Sequence, residues 1–318
     1  MRLIQIAFSI PDVEPTYSFY QHCFKLAPSG ETPIIRGPTV SGFMGLTKVN
    51  CSFHYLTDDR DFLQLEFIRF KNPKPRPRPQ DWRPCDIGIS RLALKVRDFQ
   101  STLNLLGSFG AKPLTEPMEV EGTRRVCVYD PEGVLLEIIE ARAGELPEAA
   151  FSRIAGVALS VPDIEAARYS YVKVLGLQEI QTPSPCREIL WNLDGAQKDI
   201  LLLDAEGCWI EISQYRKPEP NPRPQGYRKS DKGLAHLALG FRVRADYDRA
   251  LQKAIEGGFE RGERVMHYHV MKSAYLADSQ GFTVELMYCT PWMDRILGFK
   301  APLAPVRWII AGARRAFR

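Results

Sequence analysis

Four stretches of the chain open alike: a strand-length apolar run, a short junction, then apolar positions at helical spacing. They read "LIQIAFSIPDVEPTYSFYQHCFKL" from Leu3, "ISRLALKVRDFQSTLNLL" from Ile89, "IAGVALSVPDIEAARYSYVKVLGL" from Ile154 and "LAHLALGFRVRADYDRALQKA" from Leu234. In the first three an acidic residue (Asp12, Asp98 or Asp163) stands at the strand-to-helix junction, where a carboxylate caps free helix amides. In the fourth the junction is longer and Asp246 is the expected cap. Each module also closes on a strand with one glutamate among apolar neighbours: Glu66 in "FLQLEFIRF", Glu137 in "GVLLEIIEA", Glu211 in "CWIEISQY" and Glu285 in "GFTVELMY". Turn signals precede the last three of these, at Asp130–Gly133, Ala205–Gly207 and Asp278–Gly281.

The modules are duplicated in pairs. Slid by 151 residues, Ala7, Ser9, Pro11, Asp12, Glu14, Tyr20 and Leu26 meet identical partners in the third module. At an offset of 145, "PKPRPRPQDWRPCDIGISRLAL" aligns without a gap on "PEPNPRPQGYRKSDKGLAHLAL", which carries Glu66 to Glu211 and Arg91 to His236. The Pro-rich parts read as extended linkers. The expected architecture is α+β: four βαβββ modules paired into two open-barrel domains, 1–148 and 149–290, with a basic amphipathic tail helix over 291–318.

Bulk properties narrow the function classes. The chain has 318 residues, 45% hydrophobic and 25% charged, the balance of a globular protein. No apolar run approaches a membrane span, and no signal peptide precedes Leu3, so a cytoplasmic location is expected. Seven scattered cysteines without a CxxC argue for a reducing compartment and against a zinc knuckle. From Met293 onward six basic residues face Asp294 alone, which leaves the other 292 residues at −1 of the total +4. A near-neutral body speaks against nucleic-acid binding. The tail pairs Trp308, Ile309, Ile310 and Phe317 with Arg307, Arg314, Arg315 and Arg318. That mixture suits peripheral membrane contact, and equally a helix docked on the body or on a second copy in a homodimer. The basic linker residues, among them Arg78, Arg223 and Lys229, read as a solvated crossover or as an attractor for an anionic substrate.

Four βαβββ units in two halves resemble the vicinal oxygen chelate superfamily, which includes glyoxalase I, type I extradiol dioxygenases and bleomycin-resistance proteins. The resemblance implies two modules per cup, with metal ligands from the first and last strand of each module. Those positions are Gln5, Arg91, Gly156 and His236 on first strands, and Glu66, Glu137, Glu211 and Glu285 on last strands. Taken half by half, the N-terminal cup receives Gln5, Glu66, Arg91 and Glu137. It is expected to be metal-free, because a guanidinium has no lone pair to donate. The C-terminal cup receives Glu211, His236 and Glu285, a set able to hold Fe, Mn or Zn, with Gly156 in the fourth place. The plainer reading is a hydrogen-bonded core histidine with scaffold glutamates.

"SAYLADSQGFTVELMY" is similar to the extradiol pattern around an active-site tyrosine, here Tyr275. Upstream, His267 and His269 share one strand face; they serve as acid or base if that face is the cup, and are solvated edge residues otherwise. The resemblance implies a small-molecule substrate and a divalent metal. The expected chemistry is metal-stabilised enolate or oxyanion formation, of the isomerase, epimerase or lyase type, with Tyr275 and His267 as catalytic candidates. Two alternatives stand beside it: an extradiol-type dioxygenase with an altered iron triad, and a non-catalytic protein binding an aromatic ligand between Trp191, Trp209, Tyr268 and Tyr275.

Overall fold

The computed structural model describes residues 1–181 and 188–301. Module one runs β1 (Arg2–Ile10), α1 (Val13–Phe24), β2 (Ala27–Glu31), β3 (Ile35–Arg36), α2 (Pro38–Met44), β4 (Asn50–Thr57) and β5 (Gln64–Asn72). Module two has β6 (Gly88–Val96), α3 (Phe99–Ser108), β7 (Met118–Val120), β8 (Thr123–Tyr129) and β9 (Leu135–Glu140). Module three has β10 (Ser152–Ser160), α4 (Ile164–Arg168) continued by a π-helical turn, β11 (Gln178–Glu179), β12 (Gln197–Asp204) and β13 (Trp209–Lys217). Module four has β14 (Gly233–Phe241), α5 (Arg244–Glu256), β15 (Glu260–Arg261), β16 (Met266–His267), β17 (Met271–Ala277) and β18 (Thr283–Cys289).

The junction acids behave as helix caps in two modules. Asp98 accepts from the Ser101 amide, and Asp163 from those of Glu165 and Ala166. Asp12 holds the cap position without a side-chain hydrogen bond. In module four the cap is Val243, and Asp246 lies inside the first turn, where its charge still favours the helix N-terminus.

The strands form two open sheets, and their order corrects the expected pairing of modules. One sheet runs β15-β17-β18-β14-β1-β5-β4-β2, with β16 on β17 and β3 on β4. The other runs β11-β12-β13-β10-β6-β9-β8-β7. Modules one and four therefore share the first sheet through the antiparallel β1–β14 pair, and modules two and three share the second through β6–β10. The physical reason lies in the linkers. From β5 the chain crosses between the sheets to β6, makes two modules there, and from β13 crosses back to β14. Each sequence half thus contributes one module to each cup.

Period-two alternation then decides what each cup contains. On β1, Ile6, Phe8 and Ile10 enter the shared apolar core, and Gln5, Ala7 and Ser9 take the other face. On β5 the core takes Leu65 and Phe67, leaving Gln64, Glu66 and Ile68; on β14 it takes Leu237 and Leu239, leaving His236 and Ala238. On β18 it takes Val284 and Leu286 and leaves Glu285. The core draws on both sheets and on α1, α3, α4 and α5, which binds the four modules into one body. No described helix is long and apolar enough to cross a membrane. Thr290 leads into a short 3-10 turn at Pro291–Met293; the expected tail helix lies mostly in 302–318, outside the described residues.

Candidate functional site

The first cup brings Gln5, Glu66, His236 and Glu285 together. Ala7 on β1 faces Glu66 across the parallel β5 pair and His236 across the antiparallel β14 pair, while Ala238 faces Glu285. The small side chains of Ala7 and Ala238 leave room for the larger polar ones beside them. All four polar residues are at most 4% exposed. Gln5 Nε2 is 2.9 Å from Glu66 Oε2, His236 Nε2 is 3.2 Å from Glu285 Oε2, and His236 Nε2 is 3.7 Å from Glu66 Oε2. Ser273 Oγ donates to the other oxygen of Glu285. The Tyr275 hydroxyl lies 3.3 Å from His236 Nε2. The cluster is closed by these direct contacts, and among the described residues no three His, Cys, Asp or Glu side chains stand ready-spaced around a metal ion.

The amide orientations sharpen the picture. Turning Gln64 lets its amide nitrogen donate to the Leu297 and Gly298 carbonyls at 3.0 and 2.7 Å, and then its oxygen faces Gln5. Were Gln5 to turn its NH2 toward that oxygen, its own oxygen would face Glu66 Oε2 at 2.9 Å in place of the Nε2 donor, which requires the Glu66 carboxyl to be protonated. In that arrangement the centre of the cup collects an amide oxygen, two carboxyl groups and an imidazole nitrogen. Among the described residues the buried His236 Nδ1 has no hydrogen-bond partner.

Electrostatics follow from burial. Desolvation, reinforced by the like charge of Glu285, pushes the Glu66 carboxyl well above the usual carboxylate range. Desolvation also lowers His236 below the ordinary imidazole value, against the opposing hydrogen bond and charge of Glu285. The Tyr275 phenol is pushed up, first by burial and then by the Glu285 and Glu66 carboxylates. Lys229 sits with its ammonium 4.2 Å from the centre of the Tyr275 ring, and burial brings it down to about 8 although Glu285 pulls it up. The reading of Lys229 as a solvated linker residue is thereby corrected: the second linker turns this cation into the cup. Phe43 of α2 closes over the site with its ring 4.7 Å from that of Tyr275, within an apolar cluster that includes Val40, Met44 and Tyr55.

The second cup is neutralised by protein charges. Arg91 is buried, with Nε 3.0 Å from Glu137 and Nη2 2.9 Å from Glu211. Lys198 reaches Glu211 at 2.8 Å and Glu188 at 2.5 Å, and Arg125 reaches Glu137 at 2.9 Å. Trp191 lies under the Arg91 guanidinium at 4.6 Å. Gly156 stands at the first-strand position equivalent to Gln5, Arg91 and His236, and a Cβ there would meet the Trp209 ring at 2.2 Å, so the indole fills that space.

Of the expected metal set, His236 and Glu285 do meet, but Glu211 does not join them, because β13 belongs to the second sheet. The expected counter-charge role of Arg91 is what the ion pairs show, with Glu211 in place of Glu66 as its second partner. Tyr275 lies inside the first cup. His267 does not: it is exposed on the two-residue strand β16, 3.5 Å from Arg244, and His269 is exposed beyond it. Met266 is the neighbour that packs on the cup cluster. The expected aromatic pocket is divided as well, with Trp191 and Trp209 at the second cup, Tyr275 in the first, and Tyr268 at 58% exposure. Gln5 and Glu66 stand with His236 and Glu285, not with Arg91 and Glu137 as the half-by-half expectation has it. Charge balance does not separate the two pairings, since Arg91 stands with Glu66 and Glu137 half by half and with Glu137 and Glu211 when crossed.

Two open sheets, each built from paired βαβββ units around an inward-facing polar centre, define a duplicated cup-forming α+β protein. The chain belongs to the Glyoxalase/Bleomycin resistance protein/Dioxygenase superfamily, whose family model matches residues 2–138 and again residues 153–286. Among solved structures, glyoxalase I from Zea mays is similar over 93% of this chain and 96% of its own, with a TM-score of 0.62 at 17% identity. A Bacillus subtilis protein, provisionally assigned as a dioxygenase, is similar over 99% of this chain and 94% of its own, with a TM-score of 0.64 at 14% identity. At such identities the likeness is one of fold. No curated protein matches the chain by sequence.

Proposed function

We propose that the first cup is the active centre of a divalent-metal-dependent enzyme that acts on a small substrate with adjacent oxygens through an enolate or oxyanion, in isomerase, epimerase or lyase chemistry. The observation that carries this reading is the convergence of the Glu66 and Glu285 carboxylates and His236 Nε2, with the Gln5 amide beside them, in a buried space. Two carboxylates and one imidazole suit a borderline-hard ion such as Zn or Mn, and their charge offsets its own. When bound, such an ion supplies Lewis-acid stabilisation of developing oxyanion charge.

The other roles belong to the chain itself. Glu66, raised by burial and by Glu285, is suited to take and return a proton. Tyr275 orients the imidazole edge through its hydroxyl and offers a donor to a substrate oxygen. Lys229 places a cation, tuned to about 8, at the same wall. Phe43 and its apolar neighbours exclude water, so α2 must yield for a substrate to enter. The extradiol alternative is less well supported, because the first-strand position beside His236 carries the Gln5 amide instead of a second imidazole.

The test is elemental analysis of untagged protein, with His236→Ala beside it, followed by hydrogen–deuterium exchange at the carbon next to the carbonyl in a panel of hydroxy-ketone and hydroxy-acid substrates. About one divalent ion per chain, lost with His236→Ala together with exchange, is the expected result. No ion after incubation with Mn, Fe, Ni and Zn would remove the proposal. Oxygen uptake with catechols in place of exchange would move it to the dioxygenase class.

A further inference from the structure

The two Pro-rich linkers cross between the sheets side by side, and a cavity of about 550 Å³ opens where they cross. Its walls are matched pairs at the 145-residue offset: Arg78 with Arg223, Trp82 with Tyr227 and Ile89 with Leu234. The backbone repeats the symmetry, since the Ile87 amide donates to the Asn221 carbonyl at 3.0 Å and the Lys232 amide to the Arg76 carbonyl at 2.9 Å. The cavity is therefore built around a local two-fold relationship and lies apart from both cups.

Most charges at its wall are already matched. Asp86 is held by Arg83 at 2.7 Å and by the Asn221 amide at 2.8 Å. Asp231 is held by Arg76 at 2.6 Å and Arg228 at 3.0 Å, and Lys232 pairs with Glu132 at 2.8 Å. Arg78 and Arg223 differ. Among the described residues Arg78 reaches only the Gly133 and Ile89 carbonyls, at 3.5 and 3.4 Å, and Arg223 the Gly281 and Gln280 carbonyls, at 2.7 and 3.5 Å. The carboxylates that influence them, Asp130 and Asp278, each accept from the amides of their own turn through one oxygen, and the other oxygen of Asp130 accepts from Tyr20. Aromatic faces hold both guanidiniums in place: Arg78 lies 4.1 Å over Trp82, and Arg223 3.8 Å over Phe282. Among the described residues these two fork-shaped donors have no carboxylate at ion-pair distance, and they line a cavity whose walls combine aromatic, aliphatic and proline surface with Gln80, Asp81 and Asn221. Its volume fits a drug-sized molecule.

We infer that this linker cavity is a second binding site, for an aromatic carboxylate whose anionic head is taken by Arg78 and Arg223 and whose flat body lies between Trp82, Tyr227 and the apolar floor of Ile89 and Leu234. Bidentate geometry favours a carboxylate over a diffuse anion, and the desolvated surroundings strengthen the pairing. The linkers join the two sheets, so an occupant there touches both crossings at once.

Calorimetric titration of the full chain with 2-naphthoate, beside the neutral 2-naphthalenemethanol, tests the site. The expected result is one site per chain for 2-naphthoate, with the alcohol at least about tenfold weaker and Arg78→Gln/Arg223→Gln weakening 2-naphthoate by about tenfold or more, the scale of one charge-assisted hydrogen bond. Glu66→Gln in the first cup is expected to leave the titration unchanged. Near-UV circular dichroism checks folding, and if the double variant is misfolded, Ile89→Trp serves as a neutral block of the cavity that must also abolish binding. Equal affinity for acid and alcohol, affinity insensitive to these variants, loss with Glu66→Gln, or no heat at millimolar ligand would each overturn the inference.

Discussion

His236 Nε2 lies 3.7 Å from Glu66 Oε2, although the two residues come from the last and the first of the four modules. Glu211, which matches Glu66 at the 145-residue offset, lies instead 2.9 Å from Arg91. Two equivalent glutamates therefore stand in different chemical settings. Glu66→Gln is expected to weaken binding of a divalent ion by about 100-fold or more, beyond the 10–100-fold typical of losing a ligand's supporting partner. Glu211→Gln is expected to leave ion binding within about twofold while lowering thermal stability. Metal titrations of both variants check this, and the opposite order would restore the half-by-half pairing.

Arg91 holds two buried carboxylates in a place with no access to water. Removing one partner of a buried ion pair costs more than the pair contributes, because the remaining charge is left uncompensated. Arg91→Met is expected to destabilise the fold by about 3–5 kcal/mol. Chemical denaturation measures it, and a cost under about 1 kcal/mol would show that Lys198 and Arg125 suffice for Glu211 and Glu137.

Much of the architecture was legible in the chain because it rests on local chemistry. Period-two runs gave the strands, Asp98 and Asp163 gave two caps, and the gapless match of the linkers exposed the duplication. The four glutamates at module ends were visible for the same reason. Which module pairs with which was not legible, since it depends on where Asn72–Gly88 and Lys217–Gly233 carry the chain in space, and an extended linker permits either choice. Lys229 was missed for a related reason. It replaces Pro84 at the equivalent linker position, and nothing nearby marks it as turning inward. His267 was misplaced because β16 is only two residues long, too short for alternation to assign a face.

Gly156 is fixed by its neighbour rather than by backbone conformation. A Cβ would come within 2.2 Å of the Trp209 ring and 2.5 Å of the Trp209 carbonyl oxygen. Gly156→Ala is expected to cost about 1–3 kcal/mol, the usual range for overpacking. Adding Trp209→Ala relieves the ring contact but not the carbonyl one, so a double-mutant cycle should show partial rescue. Full additivity would mean the indole does not set the constraint.

Asp130 offers a pH test away from either cup. Burial raises its carboxyl to about 6, against the lowering effect of the Val134 amide and the Tyr20 hydroxyl that it accepts from. Unfolded, the group titrates near 3.9. Between those values the native state binds more protons than the unfolded one, so this group's contribution makes stability fall as pH rises from about 4 to about 6. Asp130→Asn keeps an oxygen for the turn amides and an amide for Tyr20 but removes the titration. Its stability relative to the native chain should therefore improve by on the order of 2 kcal/mol from pH 4 to pH 7. Urea denaturation of both proteins across that range measures the difference. A constant difference would place the native Asp130 near its unfolded value and would mean that the turn amides and Tyr20 fully offset its burial.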